Sequence, residues 1–170
     1  PSANRSNGLS PTRAEHVVAS LSAAVPLVID DGACPAGLES TIVKDGVVLR
    51  PGPIPADLIH PGEGRPEPGP APSPERVVAP GQLATHYAPA KPLRLNATSA
   101  APDEWLIGFG AAAGDDTLST SGDLVEAAAR LFDALHRADA GSQPRIAVAP
   151  IPAHGLGEAI NDRLARAAHR

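Results

Sequence analysis

Four short stretches carry side chains able to act on a ligand. The first, Ser2-Ala3-Asn4-Arg5-Ser6-Asn7-Gly8, crowds small hydroxyls and amides together and is followed by Ser10-Pro11-Thr12. Serine and asparagine are short, stiff hydrogen-bonding groups, and asparagine and glycine accept turn geometry. Ahead of a helix N-terminus, such a loop can present side-chain and backbone donors to a phosphate or carboxylate. An ordinary helix-capping loop has the same composition, so both readings stand. The second stretch, Gly37-Leu38-Glu39-Ser40-Thr41, and the third, Arg50-Pro51-Gly52, flank an Asp45-Gly46 turn. Antiparallel pairing across that turn sets Ser40 and Thr41 beside Arg50. A guanidinium with hydroxyls alongside is an anion cradle. A guanidinium paired with Glu39 on a solvated sheet edge is the plainer alternative, and it stays open. The fourth stretch is His86-Tyr87, two large functional side chains in a proline-rich tether, with Tyr87 the chain's one tyrosine. Either they glue the tether to a domain face, or they close as a lid over a bound ligand.

The other reactive residues carry less. Cys34 has no Cys or His at ligand spacing and reads as a buried or half-buried thiol. One cysteine makes no intramolecular disulfide and suits a reducing compartment. His16, His60, His136, His154 and His169 form no metal signature. Asp115-Asp116 reads as a solvated loop. Neither a Gly-x-Gly-x-x-Gly nor a P-loop lysine motif occurs. Gly155-Leu156-Gly157-Glu158 reads as a structural glycine turn opening a helix.

The elements that must position these groups follow from composition and period. The chain has 170 residues, a net charge of −5, 42% hydrophobic and 2% aromatic residues. A core is therefore built mainly from Ala, Val, Leu and Ile. The acidic balance argues against broad electrostatic attraction to nucleic acid. There is no long apolar run and no basic-then-apolar leader, so the expectation is a cytoplasmic protein without a membrane span. Of 20 prolines, 12 fall between positions 51 and 92. That stretch cannot form a packed element and reads as a semi-rigid linker, centred on 62–74. The expected division is 1–60, a linker at 61–91, and 92–170. Methionine is absent, and the chain reads as the C-terminal portion of a longer protein.

In the first unit the pattern predicts a helix capped by Ser10 with Pro11 at its first position, a strand at 25–29, and a hairpin of 41–44 and 47–50. In the second it predicts strands at 93–95, 105–109 and 145–149, a helix opened by Ser121-Gly122-Asp123, and a closing helix at 157–168. Strand, helix, strand, helix implies a small parallel α/β layer, flavodoxin- or Rossmann-like.

Taken in order, these blocks resemble the Sua5 branch of the YrdC/Sua5 family, the threonylcarbamoyl-AMP synthases. Ser2 to Val17 is similar to the family pattern Ser-Ala-Asn-x-Ser-Gly-x-x-Ser-Pro-Thr-x-x-x-His-Val, with Asn7 where glycine is usual. Gly37 to Val43, Leu49-Arg50-Pro51-Gly52, Pro80-Gly81, His86-Tyr87-Ala88-Pro89, Ser121 to Leu124 and Gly155 to Leu164 resemble the blocks that follow. The resemblance implies an α/β protein. The end of a YrdC-like domain is joined by a Pro-rich linker to a small Rossmann/flavodoxin-like parallel Sua5 domain. It further implies an enzyme that condenses L-threonine, bicarbonate and ATP, with Mg²⁺ assisting, to threonylcarbamoyl-AMP and pyrophosphate. A separate threonylcarbamoyl transferase complex then modifies adenosine in tRNA, so strong direct tRNA binding is not expected.

By position, the resemblance assigns Ser2 and Asn4 to the nucleotide-site signature, Ser10 to nucleotide or phosphate, Arg50 to phosphate, Tyr87 to ATP from the tether, and Ser40 to the neighbourhood of threonine. No metal ligand is assigned. The family's Lys-x-Arg signature is expected upstream of Pro1, so the 170 residues alone are expected to be inactive. From other classes, the alternatives are a nucleotide-binding or regulatory module without catalysis and an RNA-binding YrdC-like protein.

Overall fold

The computed structural model describes residues 3–59 and 86–169. Ser2, His60, the expected linker at 62–74 and the Pro80-Gly81 block lie outside the described residues.

Apolar β-branched runs and one well-capped helix build the second region. Strands β3 (Leu93–Arg94), β4 (Glu104–Gly108), β5 (Asp116–Thr117) and β6 (Arg145–Val148) form one sheet in the order β3-β6-β4-β5, every pair parallel. Parallel strands need a crossover connection, and α3 (Leu124–Ala140) carries the chain from the edge strand β5 past β4 to β6. Asp123 caps α3, its carboxylate accepting from the Val125 and Glu126 amides at 2.7 and 2.9 Å. The closing helix α4 (Leu156–Ala168) packs against α3 and β3. Alternate strand residues face opposite ways. Ile107, Ile146 and Val148 join Leu131, Phe132, Leu135, Ile160 and Leu164 in the main core, while Leu106 and Ala147 join Ala97 on the other face. The parallel α/β layer expected from the sequence is present.

The first region is sparser. Helix α1 spans Ala14–Leu21, three residues later than the Ser10-Pro11 start predicted for it. Arg13 occupies the cap position in extended geometry with no side-chain cap bond. The reason is competition: the Ser10 hydroxyl donates to the Glu39 carboxylate instead, and the Thr12 amide donates to His16 Nδ1 at 3.2 Å. The predicted strand at 25–29 is not formed. Leu27 and Ile29 are 74% and 87% exposed, and no partner strand lies beside them among the described residues.

The hairpin is as expected: β1 (Ile42–Lys44) and β2 (Val47–Arg50) pair antiparallel, with positive φ at both Asp45 and Gly46. A single helical turn, α2 (Ala56–Ile59), follows it. Two further expectations are corrected. Cys34 is exposed, not buried: its backbone amide is held by the Thr12 carbonyl and the residue lies on the wall of an open cavity. Asp115 is an exposed loop residue as expected, but Asp116 is not. Asp116 lies in β5 with its carboxylate bridged to Arg137 and Arg130, and Asp115 accepts from the Leu106 amide at 2.8 Å.

Candidate functional site

A cavity of about 800 Å³ opens between the two regions, and its wall includes Ser10, Glu39, Ser40, Arg50, His86 and Tyr87. Each is placed by a local device. The bulge between Ile42 and Val43 brings Ile42 opposite Arg50. The Arg50 guanidinium thereby donates through Nε and Nη2 to the Ser40 carbonyl, at 3.2 and 2.8 Å. Arg50 is buried. The Thr41 hydroxyl ties down the outgoing strand, donating to the Ile54 carbonyl at 2.9 Å and accepting from its amide at 3.0 Å. Gly52 is obligatory in that crossing, because a Cβ there would lie 2.4 Å from the Thr41 amide nitrogen.

Glu39 is not the partner of Arg50 on a sheet edge. One carboxylate oxygen accepts from the Ser10 hydroxyl, and the other accepts from Arg163 Nε at 2.8 Å. Arg163 comes from α4 and is completely buried. Its Nη2 donates to the Pro51 carbonyl at 2.9 Å, its Nη1 to Asp162 at 2.7 Å, and its Cζ lies 5.3 Å from the Tyr87 ring centroid. Sequence reasoning passed over Arg163. The signal was available: it interrupts the apolar stripe Ala159, Ile160, Leu164 and Ala167 of α4, a place where a charge must have a partner.

His86 and Tyr87 are stitched to both regions, the His86 amide to the Arg166 carbonyl and the Ala88 amide to the Asn7 carbonyl at 2.9 Å. Tyr87 is 1% exposed, holds a positive φ of 61°, and packs edge-on to His86 and tilted on Phe132. Its hydroxyl and His86 Nδ1 are buried without a hydrogen-bond partner among the described residues. Orphaned buried polar atoms carry a free-energy cost of roughly 1–3 kcal/mol each, which a ligand group would relieve. Burial, and then the Glu39 charge, push the phenol up from its ordinary value; burial pushes the His86 imidazole down, so it stands neutral.

The remaining sequence-selected groups are placed as follows. Ser40 is exposed at the cavity rim. Ala3 lines the cavity; Asn4, next to it, turns its amide onto the Arg5 and Gly8 carbonyls at 3.1 Å each, while its Oδ1 is buried with no partner among the described residues. Outside the cavity, Glu15, His16 and Asp133 are close enough to share a cation. Asp133 is instead committed to Arg13 at 3.0 Å and to Arg137, and His16 Nδ1 to Thr12, which makes this an ion-pair cluster.

Residues 47–169 match the family model for the C-terminal domain of threonylcarbamoyl-AMP synthase, and residues 1–52 match the Sua5/YciO/YrdC model described as telomere recombination. The threonylcarbamoyl-AMP synthase of Bacillus subtilis is 32% identical over 99% of this chain and 56% of its own length. That of Schizosaccharomyces pombe is 46% identical over 38% of this chain and 17% of its own. Among solved structures, Pyrococcus abyssi Sua5 complexed with L-threonine superposes with a TM-score of 0.80 at 28% identity, over 99% of this chain and 56% of that one. The chain thus spans about half the length of relatives that it matches almost end to end.

Proposed function

This chain belongs to the threonylcarbamoyl-AMP synthase family, and from that premise we propose that the protein it forms part of makes threonylcarbamoyl-AMP from ATP, L-threonine and bicarbonate. The threonine amine and bicarbonate condense to a carbamate. A carbamate oxygen attacks the α-phosphorus of ATP, the bond to the bridging α,β-oxygen breaks, and pyrophosphate leaves. Mg²⁺ arrives as the ATP complex, part of the substrate. The product adenylate supplies a separate transferase that modifies tRNA, in the cytoplasm.

The observation that carries this reading is that a buried guanidinium and two residues whose phenol oxygen and ring nitrogen lack partners among the described residues line one cavity. Negative charge builds on the α-phosphoryl oxygens and on the departing pyrophosphate, and Arg50 holds a fixed positive charge at the wall where it would meet them. Ser2 and Asn4 are proposed to hold nucleotide beside it, Ser10 to contact nucleotide, and Ser40 to sit near threonine. That P. abyssi Sua5 has been solved with L-threonine supports threonine as the acceptor. Tyr87 and His86 would seal the cavity against water, which matters because a carbamate is labile in it. No Lys-x-Arg triplet occurs among the 170 residues, and the isolated chain is proposed to be inactive.

The test is pyrophosphate release by the full-length protein, expected only when all three substrates are present. Arg50→Ala should lower kcat/KM for ATP by about 10- to 100-fold, the loss of hydrogen bonds from a charged donor. Release that ignores threonine, or an Arg50→Ala enzyme with unaltered ATP kinetics, would reject the assignment.

A further inference from the structure

Arg163 lies on the last helix, 124 positions from Glu39, and yet makes its ion pair inside the cavity wall. A guanidinium with no exposed surface is expensive to bury, and an apolar side chain in the same stripe of α4 often serves stability as well or better. Burial alone would push the guanidinium down; the charge and hydrogen bond of Glu39, with Tyr87 and Asp162 adding to them, together more than offset that, so the group stays charged. Its three nitrogens are spent in three directions: Nε on Glu39, Nη2 on the Pro51 carbonyl directly after Arg50, and Nη1 on Asp162. Its face lies against the Tyr87 ring.

We infer that Arg163 is a positioning residue for the nucleotide site, acting through Glu39 on Ser10 and through Pro51 on Arg50; this rests on the function proposed above. The chemistry runs in steps. Arg163 Nε donates to one Glu39 carboxylate oxygen and turns the other toward the Ser10 hydroxyl as an acceptor. Ser10, on the cavity wall, thereby spends its one proton on Glu39 and leaves its oxygen with lone pairs alone. A hydroxyl so held cannot donate to a phosphate oxygen. It accepts instead, and the ligand groups that suit it are donors: a ribose hydroxyl, the adenine amino group or an ammonium. The same guanidinium fixes the Pro51 carbonyl, and with it the end of β2 from which Arg50 projects.

Three variants of the full-length protein test this: Arg163→Met, Arg163→Lys and Glu39→Gln. Arg163→Met should lower kcat/KM for ATP by about 100-fold, the scale of an ångström-sized misplacement of reacting groups. Arg163→Lys should recover only part of it, because an ammonium lacks the planar fork that spans Glu39 and Pro51. In a Glu39→Gln background, Arg163→Met should cost several-fold less than it does alone, since both act on Ser10. Fully additive losses, or a lowered melting temperature with kcat and KM intact, would overturn the inference; where Arg163→Met fails to fold, Arg163→Lys carries the same comparison. If the wild-type protein releases no pyrophosphate, the proposed reaction is what fails. Calorimetric ATP affinity then decides the positioning role: unchanged affinity in Arg163→Lys overturns it, and weakened affinity supports it.

Discussion

Residues 3–59 and 86–169 handle apolar surface in opposite ways. Val18, Leu27, Ile29, Val43, Val47, Ile54 and Leu58 are exposed in the first region, whereas Val125 is the one large exposed hydrophobic described in the second. In the main core, Leu9 is the first region's buried contribution, and every buried member from Tyr87 onward belongs to the second. Yet Ser10, Glu39, Ser40 and Arg50, four of the polar groups on the cavity wall, come from the poorly packed side. The contrast separates two jobs. One region carries ligand chemistry on loops and a hairpin, and the other supplies the rigid body to which they are fastened: Leu9 in the core, His16 stacked on His136 at 3.8 Å, Arg13 paired with Asp133, and Gly37 against the α3 backbone. Gly37 shows how close that fastening is, since a Cβ there would sit 2.2 Å from the Ala128 carbonyl oxygen.

The sharpest way to break the contrast is to make the same substitution on each side. Leu135→Ala, at a completely buried position of α3, should cost about 2–5 kcal/mol in urea unfolding of the 170-residue chain. An intermediate effect should come from acid, at the seam between the regions. His16 is held down to about 4, first by burial and then by the neighbouring His136, with Arg13 and Arg137 adding to it; Asp133, 3.5 Å away, pulls the other way and loses. The unfolded chain takes up a proton near the ordinary value of 6.5 and the folded chain does not. Stability is therefore fully present above 6.5 and falls as pH drops toward 4, by an amount on the order of 2–3 kcal/mol. Unfolding measured at pH 7 and pH 5 should show the loss in the wild type and a smaller one in His16→Gln. The least effect is expected from Leu27→Ala, at a side chain 74% exposed, which should stay within about 0.5 kcal/mol. A Leu27 cost equal to that of Leu135 would erase the distinction between the regions.

What could be read from the residues alone follows the same division. Signals completed within a few positions were legible. Asp45-Gly46 specified the turn, Asp123 the start of α3, and the apolar stripe of α3 its buried face, because in each case partner and cause are near neighbours. Ser40 beside Arg50 was legible for a similar reason, through the register of a short hairpin, whereas for Tyr87 the residues alone left open a tether contact or a lid. Signals that depend on a distant partner misled. Ser10 has the chemistry of a helix cap, but Glu39 takes its proton. Residues 25–29 have strand composition and no neighbour among the described residues to pair with. Asp116 looks solvated until two arginines of α3 reach it. Arg163 was the largest omission, and two of its hydrogen-bond partners, Glu39 and Pro51, lie more than a hundred positions away.

The pairing of Arg163 with Glu39 has a consequence for how the molecule comes into being. Translation delivers Ser10, Glu39 and Arg50 early and the guanidinium that fastens them 124 residues after the glutamate. Contacts of such separation form late. A nascent chain therefore emerges with its ligand-facing groups unanchored, and a premature stop anywhere in α4 before Arg163 leaves them so permanently.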